Sequence, residues 1–159
     1  MNTASKILDL SQAISVISSW KKNGEKVVFT NGCFDILHLG HVDYLEKARN
    51  LGDRLIVGLN KDESIKRIKG STRPIVAEYP RARLMAALQF VDAVILFGED
   101  TPENLIRTIL PDILVKGDDY PLEKIIGAEI VISNGGKVQT VKLVEGFSTT
   151  NLIQKIKNY

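Results

Sequence analysis

The sequence is poor in the residues that metal centres, cross-links and membrane anchors need. It has one cysteine, Cys33, so no disulfide can close within the chain, and a reducing compartment is the natural setting. It has two histidines, so a three- or four-ligand site of His and Cys side chains would consume all of them. No stretch approaches the roughly 18 apolar residues of a membrane span. The opening MNTASKILDLSQAISVISSW lacks both an uninterrupted apolar core and a cleavage site, so no secretory signal is expected and the cytoplasm is the expected location. A strong charge of one sign is also missing. Lys and Arg number 21 against 19 Asp and Glu, a net charge of +2, too weak to point to nucleic acid or an anionic membrane. There is no repeat, low-complexity tract or linker. What remains is ordinary for a folded globular chain: 159 residues, 44% hydrophobic and 25% charged, enough for one domain with a substantial core.

Apolar residues at Ile14, Ile17 and Trp20 predict a first helix stopped near Gly24, so residues 1–24 read as a helical segment ahead of a core over 25–159. Val27–Thr30 reads as a buried strand. Val42, Leu45, Ala48 and Leu51 predict a helix capped at Gly52. Leu55–Leu59 is a second strand, with a short helix over 62–68 and a loop over 69–74. Helical spacing of Leu84, Ala87 and Leu88 places a helix over 81–90. Ala93–Phe97 and Ile113–Lys116 are strands flanking a helix that Thr101 caps with Pro102 in its first position. Glu129–Ile132 and Val138–Leu143 read as strands around the turn Asn134-Gly135-Gly136, and a last helix covers 149–157. Continuously apolar strands alternating with helices predict an α/β fold: a Rossmann-like, doubly wound, mostly parallel sheet of about five strands, covered on both faces. Ligands in such sheets sit beyond the carboxyl ends of the strands, where the strand order reverses. The loops after Thr30, Asn60 and Lys116, and the start of the last helix, are therefore the places to look for chemistry.

The segment Thr30-Asn31-Gly32-Cys33-Phe34-Asp35-Ile36-Leu37-His38-Leu39-Gly40-His41 joins the first core strand to its helix and holds both histidines. Three residues apart, the two rings can share one side of a helix's first turn, and Gly40 removes the side chain that would block a ligand. A helix start offers free N–H groups and a positive dipole end, so it takes an anion readily. Two imidazoles there would donate to phosphate oxygens, and Gly32 lets the backbone come close. The alternatives are a metal pair completed by Asp35 and Cys33, or two satisfied structural histidines.

On these residues the chain resembles the nucleotidyltransferases with a His-x-Gly-His motif, and within them the adenylyltransferases of D-glycero-β-D-manno-heptose 1-phosphate. The matching segments are FTNGCFDILHLGH (29–41), LGDRLIVGLNKDES (51–64), IKGSTRPIV (68–76), EDTPENLI (99–106), PDILVKGDDY (111–120), NGGKV (134–138) and FSTTNLIQKI (147–156). Three positions depart from the family pattern. Pro80 replaces an acidic residue, Lys61 a serine, and Asp118 a glycine, the last resembling the Gly-Asp-Asp of glycerol-3-phosphate cytidylyltransferases.

The resemblance implies transfer of AMP from ATP to a sugar 1-phosphate, without a covalent intermediate, for ADP-heptose and lipopolysaccharide core synthesis. The nucleophile is already an ionised phosphate, so positioning and charge neutralisation carry the catalysis. His38, His41 and Lys69 are the expected catalytic residues. Thr30, Asn31, Gly32, Cys33, Phe34, Gly40, Arg81, Ser148, Thr149 and Thr150 are the expected nucleotide and phosphate contacts. Asp35, Arg73, Lys116, Asp119 and Tyr120 are the expected acceptor-side residues. Mg²⁺ is expected to arrive on ATP rather than in a cage of side chains. A homodimer is implied, with neither nucleic acid nor membrane as partner. The competing readings are a cytidylyltransferase for glycerol 3-phosphate, a non-catalytic nucleotide-binding module, and a metal-dependent hydrolase built on the histidine pair.

Overall fold

A computed structural model describes residues 2–159. Six strands, β1 (Ile7–Leu8), β2 (Val27–Gly32), β3 (Arg54–Asn60), β4 (Ala93–Phe97), β5 (Ile113–Gly117) and β6 (Lys137–Val141), form one sheet in the order β1-β4-β3-β2-β5-β6. Every pairing in it is parallel. Seven α-helices flank it: α1 (Leu10–Lys22), α2 (Leu39–Arg49), α3 (Asp62–Lys69), α4 (Glu78–Ala87), α5 (Glu103–Ile109), α6 (Ala128–Ser133) and α7 (Thr149–Lys157). The α/β, doubly wound sheet expected from the sequence is present. Among the described residues no helix is long and apolar enough to cross a membrane.

The two-residue pleat divides the strands between two cores. Val28 on β2 and Leu55, Val57 and Leu59 on β3 face α2 and α4, with Leu45, Ala48, Met85 and Ala86 packed on them. Val27, Phe29 and Ile56 face the other way, under Ala13 and Ile17 of α1 and Leu105, Ile106 and Ile109 of α5. Burial on both faces is why these strands read as unbroken apolar runs.

Several local expectations are corrected. Glu129–Ile132 is not a strand; it lies in α6, where Val131 is buried and Ile132 is 59% exposed. A short apolar run does not carry enough periods to separate the two readings. The sheet gains β1 instead, so the first 24 residues are not merely helical: Ile7 and Leu8 pair with Val94 and Ile95 of β4. Asp9 then caps α1 through a capping box with Gln12. Helix α4 starts at Glu78 rather than Arg81, with Pro80 tolerated in its first turn. Its buried face is Arg81, Ala82, Met85 and Ala86, while Leu84 faces outward. Pro102, not Thr101, is the cap residue of α5. Helix α2 ends with Asn50 as its cap. Gly52 serves packing, since a Cβ there would lie 2.7 Å from the Val28 side chain and 2.9 Å from the Lys26 carbonyl.

Strand order reverses between β2 and β5, the two strands whose chains leave the sheet in opposite directions, and that is where a crevice opens.

Candidate active site

A cleft of about 360 Å³ lies beyond the carboxyl ends of β2 and β5, between the amino ends of α2 and α7. All residues singled out from the sequence line it except Thr30 and Arg81. Lys69, the last residue of α3, and Arg73, in the loop that follows, reach it, so the loop directly after Asn60 contributes only through its downstream chain.

His38 is the N-cap residue of α2, its extended backbone turning the chain into the helix, and its side chain makes no capping bond. The His41 N–H donates to the His38 carbonyl at 2.9 Å, closing the first turn. This brings the imidazoles together, ring centroids 3.7 Å apart and planes 22° from parallel. Phe34 meets His41 edge-on at 5.1 Å. Gly40 fits under the stack because a Cβ would come within 3.0 Å of the His38 ring and 3.2 Å of the Phe147 Cβ. Both Nδ1 atoms are buried without a hydrogen-bond partner. Burial, the neighbouring His38 and Lys69 push the His41 pKa down to about 4, and burial lowers that of His38. At neutral pH the cleft therefore holds two neutral, stacked rings beside the positive end of an eleven-residue helix.

Phe34 adopts φ of +43°, a left-handed conformation that costs a side-chain-bearing residue of the order of 1 kcal/mol. It turns the backbone after Gly32 so that Cys33 and Asp35 line the cleft. Asp35 is not free for a ligand. Its carboxylate accepts from the N–H groups of Ile75 (2.9 Å) and Val76 (2.8 Å) and pairs with Arg73 at 3.0 Å. It thus anchors the loop that carries Lys69 and Arg73. Burial raises the Cys33 pKa, keeping the thiol protonated. Among the described residues no group of three or more His, Cys, Asp and Glu side chains is placed to hold a metal ion.

Arg81 lies fully buried behind the cleft rather than in it. It donates to the Val76 carbonyl (2.8 Å), the Cys33 carbonyl (2.7 Å) and Asp62 (2.7 Å), tying the β2–α2 loop to α3 and α4. Thr30 is also beneath the site. Tyr44 donates to the Val115 carbonyl at 3.1 Å, which leaves the Thr30 hydroxyl to donate to the Tyr44 oxygen at 2.7 Å. Ser148 is the N-cap residue of α7 and accepts from the Asn151 N–H at 3.1 Å, with Thr149 and Thr150 following in the cleft wall. Asp118 turns out of the cleft and accepts from the Leu143 N–H at 3.2 Å, while Asp119 lines it.

Tyr44, Gly117, Leu143, Val144 and Phe147 also line the cleft without having been singled out. Tyr44 follows His41 by three residues on the same helix, a spacing that places both on one side. Gly117 closes β5 and Leu143, Val144 and Phe147 come from the loop before α7, and none of the four has a periodic signal.

The family model described as cytidylyltransferase-like matches residues 29–155. The bifunctional protein HldE of Geotalea uraniireducens is 52% identical over 152 residues, covering 96% of this chain and 31% of that protein. The HldE of Citrifermentans bemidjiense is 53% identical over 152 residues, with 96% and 31% covered. The chain thus spans about a third of the length of the curated relatives it matches. Among solved structures, a lipopolysaccharide core biosynthesis protein from Thermoplasma volcanium superposes with a TM-score of 0.61 at 35% identity, covering 76% of this chain and 98% of that one. Pantoate-β-alanine ligase from Francisella tularensis shares the fold, with a TM-score of 0.62 at 16% identity, covering 95% of this chain and 76% of that one. The chain belongs to the cytidylyltransferase-like family.

Proposed function

We propose that this domain is a nucleotidyltransferase that transfers AMP from ATP to D-glycero-β-D-manno-heptose 1-phosphate. The observation that carries the reading is the stacked imidazole pair at the α2 amino end, with both Nδ1 atoms unpartnered in the cleft wall. Two neutral rings with unspent hydrogen-bonding capacity beside a positive helix end await an anion, and a triphosphate tail supplies the charge that lets them protonate. Likeness to the heptose 1-phosphate adenylyltransferases over residues 29–156, and to the HldE proteins and the lipopolysaccharide core protein, supports the choice of acceptor.

An oxygen of the sugar 1-phosphate bonds to the α-phosphorus of ATP, and the bond from that phosphorus to the bridging oxygen breaks. Pyrophosphate leaves with the electron pair. His38 and His41 hold the triphosphate and offset the charge gathering on the leaving group, with the α2 N–H groups behind them. Lys69, at the exposed end of α3, adds a further positive charge. The hydroxyls of Ser148, Thr149 and Thr150 meet the β- and γ-phosphates, Ser148 while also capping α7. Asp119 accepts from sugar hydroxyls and Tyr120 covers them. Arg81 acts as a positioning residue that fixes the Cys33–Phe34 backbone.

Mg²⁺ fits as an ion carried by the nucleotide. The cleft offers Asp119 and the α7 hydroxyls as oxygen donors, and the Asp35 carboxylate is already engaged. When bound, the ion would neutralise part of the triphosphate's charge and so lower its repulsion of the incoming phosphate. The acceptor alternative, glycerol 3-phosphate with CTP, rests on Asp118, which does not line the cleft and whose carboxylate is engaged by the Leu143 N–H.

The test is pyrophosphate release from each pairing of ATP or CTP with heptose 1-phosphate or glycerol 3-phosphate. ATP with heptose 1-phosphate is expected to turn over, and H38A and H41A to lose several orders of magnitude. Turnover of CTP with glycerol 3-phosphate alone would overturn the assignment. Unchanged cellular function in the double variant would point to a binding module instead.

A further inference from the structure

We infer that Lys116, held in place by Asn31, is the anchor for the phosphate of the acceptor. The inference rests on the reading above that two anions meet in this cleft. In-line attack places the incoming phosphate across the α-phosphorus from pyrophosphate, so a second cationic group is needed away from the histidine stack. Three Lys and Arg side chains line the cleft: Lys69, Arg73 and Lys116. Arg73 is paired with Asp35 at 3.0 Å. Lys69 follows β3, on one side of β2 in the sheet, and acts electrostatically on His41. Lys116 stands at the end of β5, on the other side of β2 across the reversal of strand order.

The partners of Lys116 leave its charge uncompensated. Its ammonium donates to the Asn31 side-chain oxygen and to the Asn31 carbonyl at 3.2 Å, and it lies 5.7 Å from the centre of the Tyr120 ring. These are neutral partners, and among the described residues no carboxylate lies within ion-pair distance of it. Asp119, further off, and the Cys33 thiol contribute to its field. Desolvation outweighs both and pulls its pKa down to about 8. A half-buried ammonium without a counter-charge is destabilising, and a phosphate beside it reverses that. Two of its three N–H donors are spent on Asn31, which leaves the third for the ligand.

The test compares wild type with K116M, which keeps the length of the side chain, and with K116R, which keeps the charge. Acceptor KM should rise by about tenfold to a hundredfold in K116M, the loss typical of one charge-assisted hydrogen bond, while ATP affinity stays within about twofold. The melting temperature of unliganded K116M should match or exceed that of wild type, because an unpaired charge has gone. In wild type, acceptor kcat/KM should fall above about pH 8 as the ammonium loses its proton, and K116R should lack that limb. A K116M defect in ATP affinity rather than acceptor KM would overturn the inference and leave the adenylyltransferase reading intact. If wild type does not turn over heptose 1-phosphate, that reading fails, and inorganic phosphate becomes the probe. Weaker phosphate binding to K116M than to wild type would still support an anion site, and equal binding would overturn it.

Discussion

Lowering the pH should unfold this protein partly through His41. Its pKa is about 4 in the folded protein against an ordinary 6.5, so the unfolded chain takes up the proton first as pH falls. The sign follows: the stabilising contribution is complete above about pH 6.5 and is lost as pH drops toward 4. At pH 5 the two pKa values give a loss of about 2 kcal/mol, using 1.36 kcal/mol per pKa unit. Because the ring lines an open cleft, solvent reduces this to about 1 kcal/mol. With a urea m-value of about 2 kcal/mol per molar, the unfolding midpoint should drop by about 0.5 M between pH 7 and pH 5 on account of this group. Carboxylates add their own acid dependence, so the comparison is with H41Q, whose midpoint should fall by that much less. Nuclear magnetic resonance of the His41 ring should place its titration near pH 4 in the free protein and move it upward when ATP binds. Equal pH dependence in wild type and H41Q, or a free-protein titration near 6.5, would refute the reasoning.

Replacing Arg81 by Met should destabilise the fold by about 3 kcal/mol in urea unfolding, because the Val76 and Cys33 carbonyls and Asp62 lose their donor inside the protein. The same variant should lower kcat/KM through the displaced Cys33–Phe34 backbone, and an unchanged melting temperature would contradict the placement of Arg81. S148A removes the bond to the Asn151 N–H and should cost about 1 kcal/mol in urea unfolding; because α7 buries no residue, the loss should show first as fraying of that helix in hydrogen exchange. Y44F removes the donor to the Val115 carbonyl and the acceptor for Thr30, and should cost about 1 kcal/mol with little change in ATP affinity.

The strands at Val27–Thr30, Leu55–Leu59, Ala93–Phe97 and Ile113–Lys116 are legible in the sequence because both of their faces are covered, which leaves unbroken apolar runs. The location of the cleft follows from that, since a parallel sheet places its crevice where strand order reverses. Glu129–Ile132 misleads because its three apolar residues fit a strand as well as a single helical turn, and only Val131 is buried. β1 is two residues long, too short for any period, and exists through its pairing with β4. Arg81 and Thr30 are displaced from the expected contact set for one reason: burial is a tertiary property. Arg81 reads as a contact for an anionic ligand, yet here three internal acceptors meet its guanidinium. Asp35 likewise reads as a ligand-facing carboxylate until the backbone N–H groups of Ile75 and Val76, forty residues away, are seen to use it.

A crystal structure with Mg²⁺ and a non-hydrolysable ATP analogue tests most directly whether the α2 amino end receives the triphosphate. The tail should lie within about 3 Å of imidazole nitrogens of both His38 and His41 and of the first α2 N–H groups. A tail bound elsewhere in the cleft, with the two rings still stacked and unpartnered, would contradict the account.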